Sequence, residues 1–131
     1  MSAGTGSTLP VEFSTFDATF SATDQSVTLE WSTQSEVDMA GYNVLRSQSS
    51  DANAAIRVND ELYYANNVPE PSVYSHTDTQ EIELNTTYYY WIESIELSGF
   101  TMLHGPVTVA TTEEVDVLVK ATNLNAAYPN P

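Results

Sequence analysis

The 131-residue chain has no cysteine, so its histidines, serines and carboxylates are the first places to look for proton transfer or metal ligation. His76 and His104 are its two histidines. Neither has a second histidine or an HExxH spacing beside it, so zinc ligation and general-base catalysis both lack their usual local signature. His76 is expected to pack in the inner layer with Tyr74. Serines abound, yet no GxSxG or SxxK stretch marks a nucleophile, and no Ser-His-Asp set can be assigned. Carboxylates are the plentiful group: eighteen acids face three bases, a net charge of −15. Calcium takes oxygen ligands, so acidic loops are where to look for it. Glu36-x-Asp38 and Asp60-Glu61 are the short acidic pairs, and Glu36, Asp38 and Asp78 are the preferred candidate ligands. These pairs lack the Gly and the closing Glu of a calcium loop, so the expectation is solvated loop charge, with no metal and no cofactor. A glycosidase would need two carboxylates across a cleft, and nothing in the pattern promises one. Asn85-Thr86-Thr87 is a sequon, meaningful where N-glycosylation operates.

The same charge balance restricts partners. A strongly acidic surface repels phosphate backbones and anionic membranes, so nucleic-acid binding is not expected. Such a surface favours solubility in an exposed setting. No apolar run approaches the roughly 18 residues of a membrane span. Hydrophobic residues make up 41% of the chain, enough for one core at this length. Residues 1–8, MSAGTGST, have no basic or apolar region and are expected to be a linker or cloning scar.

The elements follow from alternation. The chain's densest stretch is 85–97, NTTYYYWIESIEL, without Gly or Pro. β-branched and aromatic residues suit a packed, pleated surface, which makes this a central strand. Tyr88, Tyr90, Ile92 and Ser94 share one face; Tyr89, Trp91, Glu93 and Ile95 share the other. SVTLEWST at 26–33 alternates cleanly, with Val27, Leu29 and Trp31 pointing inward. In VEFSTFDATF, Val11 and Phe13 sit on the opposite parity from Phe16, Ala18 and Phe20, so a bulge is expected near Ser14-Thr15. Residues 34–40 are expected to be a polar loop, and 59–72, with two prolines and no period, a long one. Pro106 argues that the strand over 101–110 lies at an edge. Seven short strands without helical pattern give an antiparallel β-sandwich.

Several residues resemble a fibronectin type III domain. They are Trp31 in the second strand, the Tyr42-x-Val44 pair in the third, and Tyr88 entering the sixth with Ile82 six residues before it. The resemblance implies a seven-stranded immunoglobulin-like sandwich with strands over 11–20, 26–33, 41–47, 55–58, 73–78, 87–97 and 101–110. It also implies a structural core of Trp31, Tyr42, Val44, Tyr88, Tyr90 and Ile92, and a tyrosine corner in which the Tyr88 hydroxyl bonds the backbone just upstream. LPVEFSTFDATF, VTLEWSTQSEVDMAGYNVLRS, the Tyr-Tyr-Tyr-Trp strand and the terminal AAYPNP resemble the bacterial form of this module that precedes a C-terminal secretion-sorting domain. Where that family often has a Gly-rich loop, this chain has ELYYANNVPEP. The implied layout is a sandwich over 9–112 and a linker over 113–131 that leads into a truncated sorting domain.

One surface site is expected, and it is aromatic. With Tyr88 and Tyr90 inward, Tyr89 and Trp91 face outward, and exposed aromatics often mark a sugar or protein contact. Alternatively, Val115, Val117 and Val119 of the tail cover them. Tyr63 and Tyr64 in the long loop form a second patch. The functional expectation is a non-catalytic, monomeric spacer or interaction module. It would be extracellular or at the cell surface of a bacterium, with neighbouring domains of its own chain as partners. The alternative is adhesion to a glycan or surface protein through the aromatics.

Overall fold

The computed structural model describes residues 10–112. The expected linker at 1–8, the tail valines and the Tyr128–Pro131 motif lie outside the described residues. Among the described residues, eight strands form two antiparallel sheets. They are β1 (Val11–Ser21), β2 (Ser26–Glu36), β3 (Met39–Ser47), β4 (Ile56–Arg57), β5 (Tyr63–Tyr64), β6 (Ser72–Asp78), β7 (Thr87–Glu96) and β8 (Thr101–Ala110). One sheet has the order β1-β2-β6; the other runs β4-β3-β7-β8, with β5 also pairing β3. Seven of these are the expected strands. The eighth, β5, comes from within the segment expected to be a loop, and the polar segment 34–40 is mostly strand.

The core sits where the alternation put it. Val27, Leu29, Trp31, Tyr42, Val44, Tyr90 and Ile92 are fully buried between the sheets, and Tyr88 nearly so. Trp31 stacks on Tyr74 and meets Tyr42 and Tyr63 edge-on. The Tyr88 hydroxyl accepts a hydrogen bond from the Glu83 amide at 2.9 Å and reaches the Glu81 carbonyl at 3.5 Å. Ile82 between them is buried. This is the tyrosine corner, and it ties the crossover between the sheets to β7. β8 is an edge strand, and its partner register skips at Gly105-Pro106, opposite Trp91. A side chain at Gly105 would crowd the Tyr90 carbonyl at 2.9 Å, and its φ of 124° suits glycine.

Two bulges compensate one another at the start of the sandwich. β1 pairs Phe13 with Thr33 and then Thr15 with Ser32, so Ser14 is the extra residue there. β2 pairs Ser35 with Glu12 and then Thr33 with Phe13, so Gln34 is extra on its own strand. The first bulge is the expected one. The second reverses the facing of everything after it, and turns Glu36 inward.

The strands also fix the two ends. Val11 lies opposite Glu36, and Asp78 lies opposite Val27 at the other end of β2. At about 3.3 Å per residue these ends are roughly 30 Å apart. The chain enters beside Glu36. It leaves β8 at Ala110, opposite Thr87, and Thr111 is fully buried against the corner loop, its amide bonded to the Thr86 carbonyl. That is the Asp78 end, because Tyr90 on β7 reaches Asp78 directly.

Candidate functional site

The three carboxylates expected to be calcium candidates do not converge. Glu36 and Asp78 lie at opposite ends of the sandwich, and neither is a solvated loop charge: they are 4% and 1% exposed. Glu36 is a knot of neutral donors. Its Oε2 accepts from the hydroxyls of Tyr42 and Tyr74, both at 2.6 Å, and from Thr33 at 3.2 Å. Its Oε1 accepts from the backbone amides of Asn66 and Asn67 at 3.0 and 2.9 Å. Burial pushes the carboxyl upward, but the hydrogen bonds from Tyr42, Tyr74, Asn67 and Thr33 together outweigh it and leave its pKa below the ordinary value. The same burial and the adjacent carboxylate raise Tyr42 strongly and push Tyr74 up to about 12. Asp38 stands exposed in the turn to β3, with a φ of 57°. Among the described residues no three His, Asp or Glu side chains come together as a metal cluster.

Asp78 is held differently. Its Oδ2 accepts from Arg46 Nη1 and from the Tyr90 hydroxyl, both at 2.8 Å, and its Oδ1 from the Gln80 amide at 3.0 Å. Arg46 also donates to the Gln80 carbonyl and lies over the Tyr88 ring, 5.2 Å from its centroid. Burial disfavours the guanidinium charge, but the Asp78 bond and charge more than offset it, so the pKa of Arg46 is raised. One of the chain's three basic residues is thus used inside the fold.

The histidines are engaged as well. His104 stacks on Phe13 with centroids 4.0 Å apart, and its Nε2 shares a hydrogen bond with the Ser94 hydroxyl at 3.0 Å. Burial holds its pKa below the usual value. His76 lies on the inner side of β6 as expected, but its partner is Tyr63, whose hydroxyl shares a hydrogen bond with Nδ1. Burial lowers its pKa too, with Asp78, Asp60 and a hydrogen bond to the Val58 backbone pulling the other way. Asn85 of the sequon is exposed in a turn, with a φ of 56°.

The aromatic surface differs from the expected one. Trp91 does face away from the inner core, on the opposite side of β7 from Tyr90, but it is only 4% exposed. It lies directly across from Leu45 on β3 and from the β8 bulge. Cross-strand neighbours stand within about 5 Å, close enough to shut water from a large ring. Tyr89 is half-buried. The pair therefore does not form an open platform.

Tyr63 and Tyr64 belong to a built feature. The segment after β4 runs along the free edge of β3 and is stapled at several points. The Val58 amide bonds the Val44 carbonyl, and buried Asn59 takes the place of a strand: its Oδ1 accepts from the Val44 amide, while Nδ2 donates to Asn43 and to the Glu61 carbonyl. Tyr63 and Tyr64 then pair with Tyr42 and Gly41. A Cβ at position 41 would overlap the Tyr63 carbonyl oxygen, so glycine is what admits the strap. Between strap and β6 lies an open hollow of about 550 Å³, lined by Asp60, Glu61, Leu62, Tyr63, Tyr64 and His76. Tyr64 is 75% exposed on its rim. Sequence patterning missed the strap, because a two-residue strand has no period. Gly41 beside Tyr42, and Asn59 in a run of polar residues, were the available signals.

A second hollow, of about 360 Å³, opens between β1 and the β7–β8 sheet at the Glu36 end, and includes Val11, Phe13, Met102 and His104 in its lining.

No family model matches the chain, and no curated protein does. Among solved structures, an Fn3-like protein from Clostridium thermocellum superposes with a TM-score of 0.55 at 17% identity, covering 81% of this chain and 96% of that one. With the sheets ordered β1-β2-β6 and β4-β3-β7-β8 and a tyrosine corner at Tyr88, the described chain has the Fn3-like β-sandwich fold.

Proposed function

We propose that this module is a non-catalytic spacer in a secreted or surface-anchored protein, holding the domains on its two sides apart. The observation that carries the reading is the placement of the chain's two exits. The described chain enters beside Glu36 and leaves beside Asp78, roughly 30 Å away along the strands. A module threaded end to end adds its full length to a protein; one with adjacent ends adds almost none. The interior supports the same reading. Glu36, Asp78 and His104 could all do acid–base chemistry, and all three are committed to internal hydrogen bonds. A net charge of −15 and the absence of cysteine suit a domain that stays soluble outside the cell without disulfides. The adhesion reading through Tyr89 and Trp91 loses its anchor with Trp91 buried.

Small-angle scattering of fusions carrying one, two and three copies of the 131-residue chain tests this. The maximum dimension is expected to grow by at least about 30 Å per copy. Growth well below that, with copies folding back side by side, would overturn the spacer reading.

A further inference from the structure

The hollow beneath the strap has a composition of its own. Asp60 and Glu61 are exposed, and neither side chain has an ion-pair or hydrogen-bond partner among the described residues. Tyr64 offers a large open ring on backbone fixed by pairing with Gly41. The Tyr63 hydroxyl at the inner wall is already shared with His76.

We propose that this hollow binds an organic ammonium group, with Asp60 and Glu61 supplying the counter-charge and Tyr64 the aromatic face. A cation over an aromatic ring is attracted by the ring's quadrupole, and flanking carboxylates add to that attraction. The other ligand classes fit less well. A bare divalent ion needs several converging oxygen or nitrogen ligands, and the described residues bring no such cluster together. A neutral sugar has no charge for Asp60 and Glu61 to offset. An ammonium group asks only for negative charge and an apolar face. The overall charge of −15 raises the local concentration of any cation before it arrives. The same chemistry could come from a free quaternary amine or from a lysine side chain of another protein.

Amide chemical shifts of the intact chain, followed by NMR at constant ionic strength, test the site. The probes are tetramethylammonium for the free amine, n-butylammonium for the lysine side chain, and tert-butanol as an uncharged analogue of similar size. Saturable shifts are expected at the amides of 60–64 and 76, with a dissociation constant on the order of 10 mM for an exposed site of this kind. Whichever ammonium probe binds more tightly identifies the source. Asp60→Asn with Glu61→Gln should weaken binding about threefold to tenfold, and Tyr64→Leu about threefold, while Tyr64→Phe keeps it. Asp60, Glu61 and Tyr64 are all exposed, so folding is retained in these variants. Equal shifts with tert-butanol, no saturation by about 100 mM, or unchanged affinity in the carboxamide variant would each overturn the proposal. None of these outcomes bears on the spacing measured with the tandem fusions.

Discussion

The two ends of the sandwich each bury a carboxylate, and they neutralise it by different means. At the entering end, Glu36 collects two tyrosine hydroxyls, a threonine and two backbone amides, with no cation. At the leaving end, Asp78 has Arg46 as well as Tyr90 and a backbone amide. A buried charge is tolerated only when its lone pairs are satisfied. The difference teaches what each solution is for. The Glu36 knot closes a loop, because its amide donors Asn66 and Asn67 come from the segment just after the strap and its tyrosines from both sheets. The Asp78 pair closes a corner, joining the end of β6 to β3 and β7 close to where Tyr88 ties down the crossover.

If that contrast is right, breaking the ion pair should be the more costly change. Asp78→Asn leaves the Arg46 guanidinium, 11% exposed at the side chain, without its counter-charge. A loss of about 3–5 kcal/mol in urea unfolding is expected, as for other broken buried pairs. Glu36→Gln removes charge from a site that contains no cation, so nothing charged is orphaned. The loss there should be smaller, about 1.5–3 kcal/mol, the range of a hydrogen bond to a charged group. If Glu36→Gln proves the worse of the two, neutral donors are the stronger solution and the comparison is inverted.

Glu36 and the two histidines also respond to acid. Glu36 has a folded pKa below its unfolded value of about 4.3. Its contribution is therefore complete above about pH 4.3 and is lost as pH falls through the lower folded value. His76 and His104 are depressed by burial from about 6.5, so their contribution is complete above about pH 6.5 and falls away below it. Urea midpoints measured across pH should decline in two stages, and Glu36→Gln should flatten the lower stage alone. An unchanged acid limb in that variant would mean the knot does not govern acid unfolding.

The smallest effect sharpens the corner. Tyr88→Phe keeps the packing and removes the hydroxyl that accepts from the Glu83 amide, at an expected cost of about 0.5–1.5 kcal/mol. Tyr89 carries its hydroxyl on the other face of β7, and Tyr89→Phe should cost less. The opposite ranking would detach the corner bond from the stability of the Asp78 end.

Much of the frame was legible in the residues because alternation is local. Val27, Leu29 and Trp31 declared their face, as did Tyr88, Tyr90 and Ile92, and the parity switch after Phe13 announced the bulge at Ser14. These are statements about neighbours one or two residues apart, and a strand's pleat enforces them wherever one face is buried.

What alternation determined was therefore the sandwich and its inner faces, while the corner role of Tyr88 was implied only by the resemblance to a fibronectin type III domain. The tertiary structure alone decided the rest. Glu36 turned from a loop charge into a buried acceptor because Gln34 bulges, and that bulge is set by pairing with β1. Asp78 acquired its partner from Arg46, 32 residues earlier in the chain. Trp91 was closed off by neighbours on β3 and β8 rather than left as an open face. Residues 58–65 became a strap because Asn59 and Gly41 fit it to the edge of β3. In each case the deciding contact joins strands distant in sequence, and side-chain period carries no information about which distant strand will be the neighbour.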